Sequence, residues 1–441
     1  MNRKRRRRSR RKGRLYRRLF LCFLLLFLTG TGIFIGKTAV RRTETQSREE
    51  DESREEDENR EEDENFVRQE ENSRPGREQP EPTKQPEPTE EELLEQRIEN
   101  LLGEMTLEEK ICQMFILTPD QLTGVSPVTA AGEATRNSLK EYPVGGLIYF
   151  SSNLVSETQT KDMLKAAGDY GREVEGLPLF LCIDEEGGRV ARIGNHPAFS
   201  VETVKPMREM QDIQEAYKAG AAIGAYLREM GFNVDFAPDA DVITNEKNTV
   251  IGDRSFGTDP GRVTDMATAF SDGLHAEGIL SAFKHFPGHG ATEEDTHEGY
   301  AYSIRTYGEL RAAELMPFAA AQESGVDMVM VAHISLPKIV GDDTPSSLSR
   351  KMITEILRGD LGYEGLVITD ALNMGAIAEN YSSEEAAVQA VEAGVDLLLM
   401  PKDFREAYEG LRKAVSEERL SEERLEESVR RILRAKLLME Q

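Results

Sequence analysis

From Cys112 onward the chain repeats one alternation, a short apolar run followed by a stretch of helical periodicity, and this constrains its fold more than any other feature. The runs are CQMFILT (112–118), VGGLIYF (144–150), LPLFLCID (177–184), FNVDFAPDAD (232–241), ILSAFKH (279–285), DMVMVAH (327–333), GLVITD (365–370) and VDLLLMP (395–401). A strand buried on both faces reads as a continuous apolar run, and strands alternating with helices build a parallel sheet. EAYKAGAAIGAYLREMG (215–231) and RVTDMATAFSDGLHAEG (262–278) are examples of the helical stretches. Eight such units predict an α/β fold, a TIM-like (β/α)8 barrel over residues 93–441. A doubly wound open sheet is the competing arrangement. Ahead of the first run, MTLEEK (105–110) sets Thr106 three residues before Glu109, a capping-box pattern that starts a helix.

The residues before Leu93 have a different character, and the net charge of −25 is an average over segregated blocks. Residues 1–18 carry twelve Arg or Lys and no acid. Such a run alone suits nucleic acid, but LFLCFLLLFLTGTGIFIG (19–36) follows directly, uncharged and bounded by Arg18 and Lys37. As a helix, 18 residues span about 27 Å, near the thickness of a bilayer core. The expected organisation is a basic cytoplasmic segment (1–18), an uncleaved transmembrane signal-anchor (19–36) and an extracytoplasmic remainder, with no nucleic-acid partner. A cleaved signal peptide, giving a secreted protein, is the alternative, but charge follows the run where small residues are wanted. Residues 37–92 hold three near-copies of an acidic hexad and then a proline-rich stretch. Without an apolar face they are expected to form a disordered linker. Cys22, Cys112 and Cys182 give no disulfide framework and are expected as buried thiols.

Polar residues fall at the ends of the apolar runs: Asp184, Asp239, Asp241, His285, His333 and Asp370. In a (β/α)8 barrel these ends converge on one face, where active sites are built. Any one such Asp could be a helix cap; six at successive run ends predict a cleft lined with acids and histidines. KHFPGHGATEEDTHEGY (284–300) adds His289, Asp295 and His297, and so holds half of the chain's six histidines. Two chemistries compete for it. His285 and His289 have the spacing of two zinc ligands on a helix, with Asp295 and His297 as further donors, but Pro287, Gly288 and Gly290 oppose a helix there. Alternatively, Asp295 and His297 share one face of an extended stretch, a carboxylate orienting an imidazole for proton transfer near neutral pH. Asp370 would then supply a nucleophilic carboxylate.

The stretch KHFPGHGATEEDTH resembles the signature of the glycoside hydrolase family 3 β-N-acetylglucosaminidases. PVGGLIYFSSN (143–153), IDEEGGRVARI (183–193), VIGDRSFGTDP (250–260) and VITDALNM (367–374) resemble that family's other blocks in the same order, so the likeness covers nearly all of 95–440. It implies a retaining, two-step hydrolysis of terminal β-linked GlcNAc with no cofactor or metal. Asp370 is implied as the nucleophile and His297 as the acid and then the base, paired with Asp295. Asp184, Arg192, Arg254, Lys284 and His285 are implied to hold the sugar, while His289 orders the loop. Without the resemblance, Arg254 reads equally as an ion-pair partner of Asp253 or Asp259, and Lys284 as a rim salt bridge. An extracytoplasmic barrel implies peptidoglycan fragments and muropeptides as substrate, cleaved next to MurNAc. Many relatives bear a second domain after the barrel, whereas this sequence ends at Gln441, so the barrel is expected to close its own cleft. A phosphorylase using the same histidine, a family 3 β-glucosidase, a metal-dependent hydrolase and an inactive wall-binding module are the other readings. Loss of activity on chelation would single out the metal enzyme.

Overall fold

A computed structural model describes residues 88–292 and 301–440; the basic segment, the apolar run 19–36 with Cys22, nearly all of the linker, and the pair Asp295 and His297 lie outside the described residues. Ordered secondary structure starts three residues before Leu93, because Thr89 is itself a helix cap. Its hydroxyl accepts from the Glu92 amide (3.2 Å) and the Glu92 carboxylate accepts from the Thr89 amide (2.7 Å). The helix so started, α1 (Glu90–Glu104), buries Leu94, Ile98 and Leu102, a stripe repeating every four residues. The capping box at Thr106 and Glu109 forms as the sequence indicates and starts α2 (Leu107–Gln113).

All eight apolar runs supply a strand, labelled β1 (Phe115–Leu117), β2 (Gly146–Ile148), β3 (Phe180–Ile183), β4 (Val234–Asp235), β5 (Leu280–Phe286), β6 (Met328–Val331), β7 (Leu366–Thr369) and β8 (Leu398–Leu399). They lie side by side in the order β7-β6-β5-β4-β3-β2-β1-β8, every pairing parallel. The two ends of this order also meet. Ile368 bridges Leu397 in parallel, and the Thr369 amide donates to the Leu397 carbonyl at 3.0 Å. The sheet is therefore a closed barrel, and the open doubly wound sheet is excluded.

Helices surround the barrel: α3 (Glu133–Glu141), α4 (Glu157–Glu175), α5 (Ile213–Met230), α6 (Pro260–Ala276), α7 (Ser383–Ala393), α8 (Phe404–Ser416) and α9 (Glu422–Leu438), with a ten-residue π-helix (Lys351–Asp360) and shorter helical turns between β5 and β7. α5 and α6 are the two helices read from the sequence, and they touch backbone to backbone. A Cβ added to Gly220 would stand 2.0 Å from the Phe270 carbonyl oxygen, and one on Gly273 would stand 2.2 Å from that of Tyr217. Cys112 and Cys182 are free, buried thiols, as the sequence suggested. No helix among the described residues is long and apolar enough to cross a membrane.

Candidate active site

The site is built from the segments that leave the C-terminal ends of the strands. After β3 the chain makes a short antiparallel ribbon, Glu185–Gly187 against Val190–Ala191. Gly187 turns it with φ +83°, where a side chain would be strained and a Cβ would press on Val204. Glu185 folds the ribbon back. Its carboxylate accepts from the amides of Arg192 (2.6 Å), Ile193 (2.9 Å) and Gly194 (2.7 Å) and from the Tyr226 hydroxyl (2.8 Å). Arg192 is thereby delivered to the barrel mouth, its guanidinium over the Phe150 ring beyond β2 and 3.5 Å from Asp184.

Behind this pair lies a chain of buried charges. The Lys284 ammonium, at the end of β5, donates to Asp184 (2.9 Å) and lies 2.7 Å from Glu186. Glu186, 1% exposed, also accepts two parallel hydrogen bonds from Arg254 (2.8 and 2.7 Å). Arg254 in turn stands 3.6 Å from Asp239 and 3.4 Å from His285 Nε2. On the far side, Asp241 is 2.7 Å from His285 Nδ1 and accepts from the His289 amide at 2.5 Å. Five sequence-indicated sugar-binding residues, Asp184, Arg192, Arg254, Lys284 and His285, thus form one connected network. The alternative partners of Arg254 are otherwise engaged: Asp253 pairs with Arg189 (3.1 Å), and Asp259 caps α6 through the Arg262 amide (2.8 Å).

Electrostatics keep these groups in defined states. Burial alone would raise the pKa of Glu186, but the charges of Arg254 and Lys284 outweigh it and hold the carboxyl well below the usual range. Lys284 and Arg254 are raised despite burial by the same carboxylates and their neighbours. Burial opposes a charged His285 too, yet its contact with Asp241 raises the imidazole pKa. Asp239 is the exception: burial and the adjacent Asp241 charge push it up to about 7.

His289 stands in a one-turn helix, His289–Ala291, its Nδ1 2.8 Å from the Thr292 hydroxyl. The segment is pinned by Asn248, which donates to the carbonyls of His289 (2.8 Å) and Thr292 (3.0 Å). His285 and His289 do not share a helix, and their rings meet edge to face, 5.9 Å apart. Among the described residues, the group whose ligating atoms approach within 4.8 Å of one another is Asp239, Asp241 and His285. Arg254 brings positive charge to this cluster and His285 Nδ1 is engaged with Asp241, while the buried Asp239 Oδ2 has no hydrogen-bond partner among the described residues.

Asp370 follows β7. Its amide donates to the Val331 carbonyl (2.9 Å), and its Oδ1 accepts from the Ala371 amide (2.8 Å). His333, beyond β6, contacts the Ala371 carbonyl (3.0 Å) and the Ser347 hydroxyl (2.7 Å).

Asp370 and the buried charge network both lie where strands leave the C-terminal end of the barrel, the end at which (β/α)8 active sites are built. Residues 106–435 match the glycosyl hydrolase family 3 N terminal domain. The chain belongs to glycosyl hydrolase family 3. This family 3 hydrolase is 35% identical over 327 residues to the β-hexosaminidase A of Pseudoalteromonas piscicida, covering 69% of this chain and 55% of that one. It is 34% identical over 285 residues to a β-hexosaminidase of Nitrosomonas eutropha, covering 62% and 78%. Its barrel superposes on a family 3 β-N-acetylglucosaminidase structure from a Paenibacillus species with a TM-score of 0.71 and 36% identity, over 76% of this chain and 63% of that one. The match thus spans little more than half of the first of these relatives and under two thirds of the solved one.

Local sequence patterns in this hydrolase do not single out Glu186 or Glu185. Two glutamates in a row read as a solvated pair; the available signal was their place between a strand end and the Gly187–Gly188 turn. Glu186→Ala would leave Arg254 and Lys284 short of their shared counter-charge. We expect a loss of about 3–5 kcal/mol, the usual cost of breaking a buried ion pair from one side. Urea denaturation measures it, and a loss under about 1 kcal/mol, as for an exposed pair, would refute the role given to Glu186.

Proposed function

We propose that this family 3 hydrolase is a retaining exo-β-N-acetylglucosaminidase. It removes terminal, non-reducing β-1,4-linked GlcNAc from peptidoglycan fragments. The observation that carries the reading is that Asp370 follows its strand at the same end of the barrel as the Asp184–Lys284–Glu186–Arg254–His285 network. Relatives named β-hexosaminidase support the sugar, and the GHGATEEDTH loop (288–297) argues against a β-glucosidase.

Arg192, Arg254, Lys284 and His285 donate to ring hydroxyls and the acetamido group, and Asp184 accepts. These contacts hold the anomeric carbon against Asp370 and strengthen as positive charge develops on the ring. An Asp370 oxygen attacks that carbon while His297, oriented by Asp295, gives its proton to the departing glycosidic oxygen. The glycosyl–Asp370 ester forms as the glycosidic bond breaks. His297, now neutral, takes a proton from water, whose oxygen attacks the same carbon and releases Asp370 with retention of configuration. An imidazole in this role, unlike a second carboxylate, does not repel the nucleophile. The apolar run 19–36 anchors the chain, residues 37–88 tether the barrel outside the membrane, and the barrel thereby meets wall fragments.

The full chain, purified in detergent, is assayed on aryl β-GlcNAc and aryl β-glucoside, with and without phosphate and EDTA. The expected result is GlcNAc release, preference for the acetamido sugar and indifference to EDTA. Preference for the glucoside overturns the sugar assignment. GlcNAc 1-phosphate formed at the expense of GlcNAc would make the enzyme a phosphorylase, a role open to a histidine acid because it does not repel phosphate. Protease treatment of intact cells tests the location; a barrel protected from protease rules out an outside position.

A further inference from the structure

We propose that His333 and Ser347 are positioning residues for Asp370, an inference that rests on Asp370 being the nucleophile. His333 is fully buried just beyond β6, and its ring contacts polar groups of two other segments. The Ala371 carbonyl, 3.0 Å from Nε2, can only accept, so Nε2 carries a proton and donates. In the neutral ring Nδ1 is then bare, and the Ser347 hydroxyl at 2.7 Å donates to it. Ser347 is equally buried, and its own amide donates to the Ala332 carbonyl (3.2 Å), which fixes its place against the end of β6. The Ala371 carbonyl thus sets the imidazole tautomer, and the Ser347 hydroxyl, by donating to the other nitrogen, holds the ring with Nε2 facing the turn after β7.

That turn is held at successive peptide groups. The Asp370 amide donates to Val331 of β6 (2.9 Å). The Leu372 amide donates to Leu399 of β8 (2.9 Å), and the carbonyl of the same peptide is the one His333 engages. The peptide between these two fixed groups has only its own rotation left, and its amide, that of Ala371, donates to Asp370 Oδ1 at 2.8 Å. Holding the flanking peptides therefore aims this donor and, through it, the plane of the carboxylate. The N–H···O contact serves both chemical steps: it fixes the attacking group before the ester forms and favours the carboxylate as it leaves. The Ala371 carbonyl also accepts from the Met374 amide (3.0 Å), so without His333 the peptide would lose one of its restraints and the carboxylate part of its aim, while the sugar-binding network stayed intact.

The test compares Ser347→Ala, His333→Leu and His333→Gln with the unaltered full chain on aryl β-GlcNAc substrates. Gln keeps an N–H donor near the position of Nε2; Leu does not. Ser347→Ala and His333→Leu are expected to lower kcat about 10- to 100-fold, the scale of a small misplacement of a reacting group. KM should stay within about 2-fold because the sugar-binding residues are untouched. His333→Gln should recover most of the lost rate. Ser347→Ala removes a single hydroxyl, so it decides the matter should the His333 variants fail to fold. An unchanged kcat in Ser347→Ala, a rise in KM at constant kcat, or equal losses in the Leu and Gln variants overturns the proposal. Full activity in Asp370→Ala would instead overturn the nucleophile assignment beneath it.

Discussion

Asp370→Ala should leave a folded barrel with kcat/KM on aryl β-GlcNAc lowered by at least about three orders of magnitude, as expected when a covalent nucleophile is removed. The fold should tolerate the change because the side chain is only partly buried. The variant gives up the hydrogen bond from the Ala371 amide, a contact worth about 1 kcal/mol. The rate should not tolerate it. Without the carboxylate no glycosyl ester forms, and water must attack an anomeric carbon that no anion stabilises. Stopped-flow measurement of the first turnover gives a second readout: the unaltered enzyme should release the aryl alcohol of an activated substrate in a burst, and the variant should not. Activity in Asp370→Ala within about 10-fold of the parent is too high for a missing nucleophile and would place that role elsewhere.

His297→Ala should reduce cleavage by about 10²- to 10⁴-fold for substrates with a poor leaving group, the range for loss of a general acid. Aryl substrates with acidic leaving groups need no proton to depart, so their first step should be nearly spared. Their second step still needs a base for water, so the ester should accumulate and kcat should fall with KM. A plot of log kcat/KM against leaving-group pKa should steepen in the variant, and Asp295→Ala should shift in the same direction with a smaller loss. If all leaving groups suffer alike, His297 is not the proton donor.

Most of the fold was legible because it rests on local rules. A buried parallel strand must be apolar throughout, so each run announced one of β1 to β8, and the box at Thr106 comes from neighbours three residues apart. Legibility failed at boundaries. Glu90–Glu92 look like the end of an acidic linker, yet they are the first turn of α1, where carboxylates are favoured by the helix dipole. It failed more deeply inside the site. Asp184, Arg192, Arg254, Lys284 and His285 came from the resemblance, but their mutual pairing did not. Glu186 is 68 positions from Arg254 and 98 from Lys284, and no local pattern ties residues so far apart.

The sequence by itself determined the number of strands, their parallel sense and the end of the barrel where chemistry gathers. It also carried the family blocks that single out Asp370, Asp295 and His297. The tertiary structure decided that the sheet closes through Ile368 and Leu397. It decided too that Glu186 is the shared counter-charge of two buried cations, that Arg254 ignores its neighbours Asp253 and Asp259, and that His333 reaches the turn bearing Asp370. The division has a physical cause. Strand and helix patterns are written in the burial of residues a few positions apart, whereas a buried charge takes whatever partner the closed barrel brings within about 3 Å, the reach of a hydrogen bond. That distance exists only after the chain has folded.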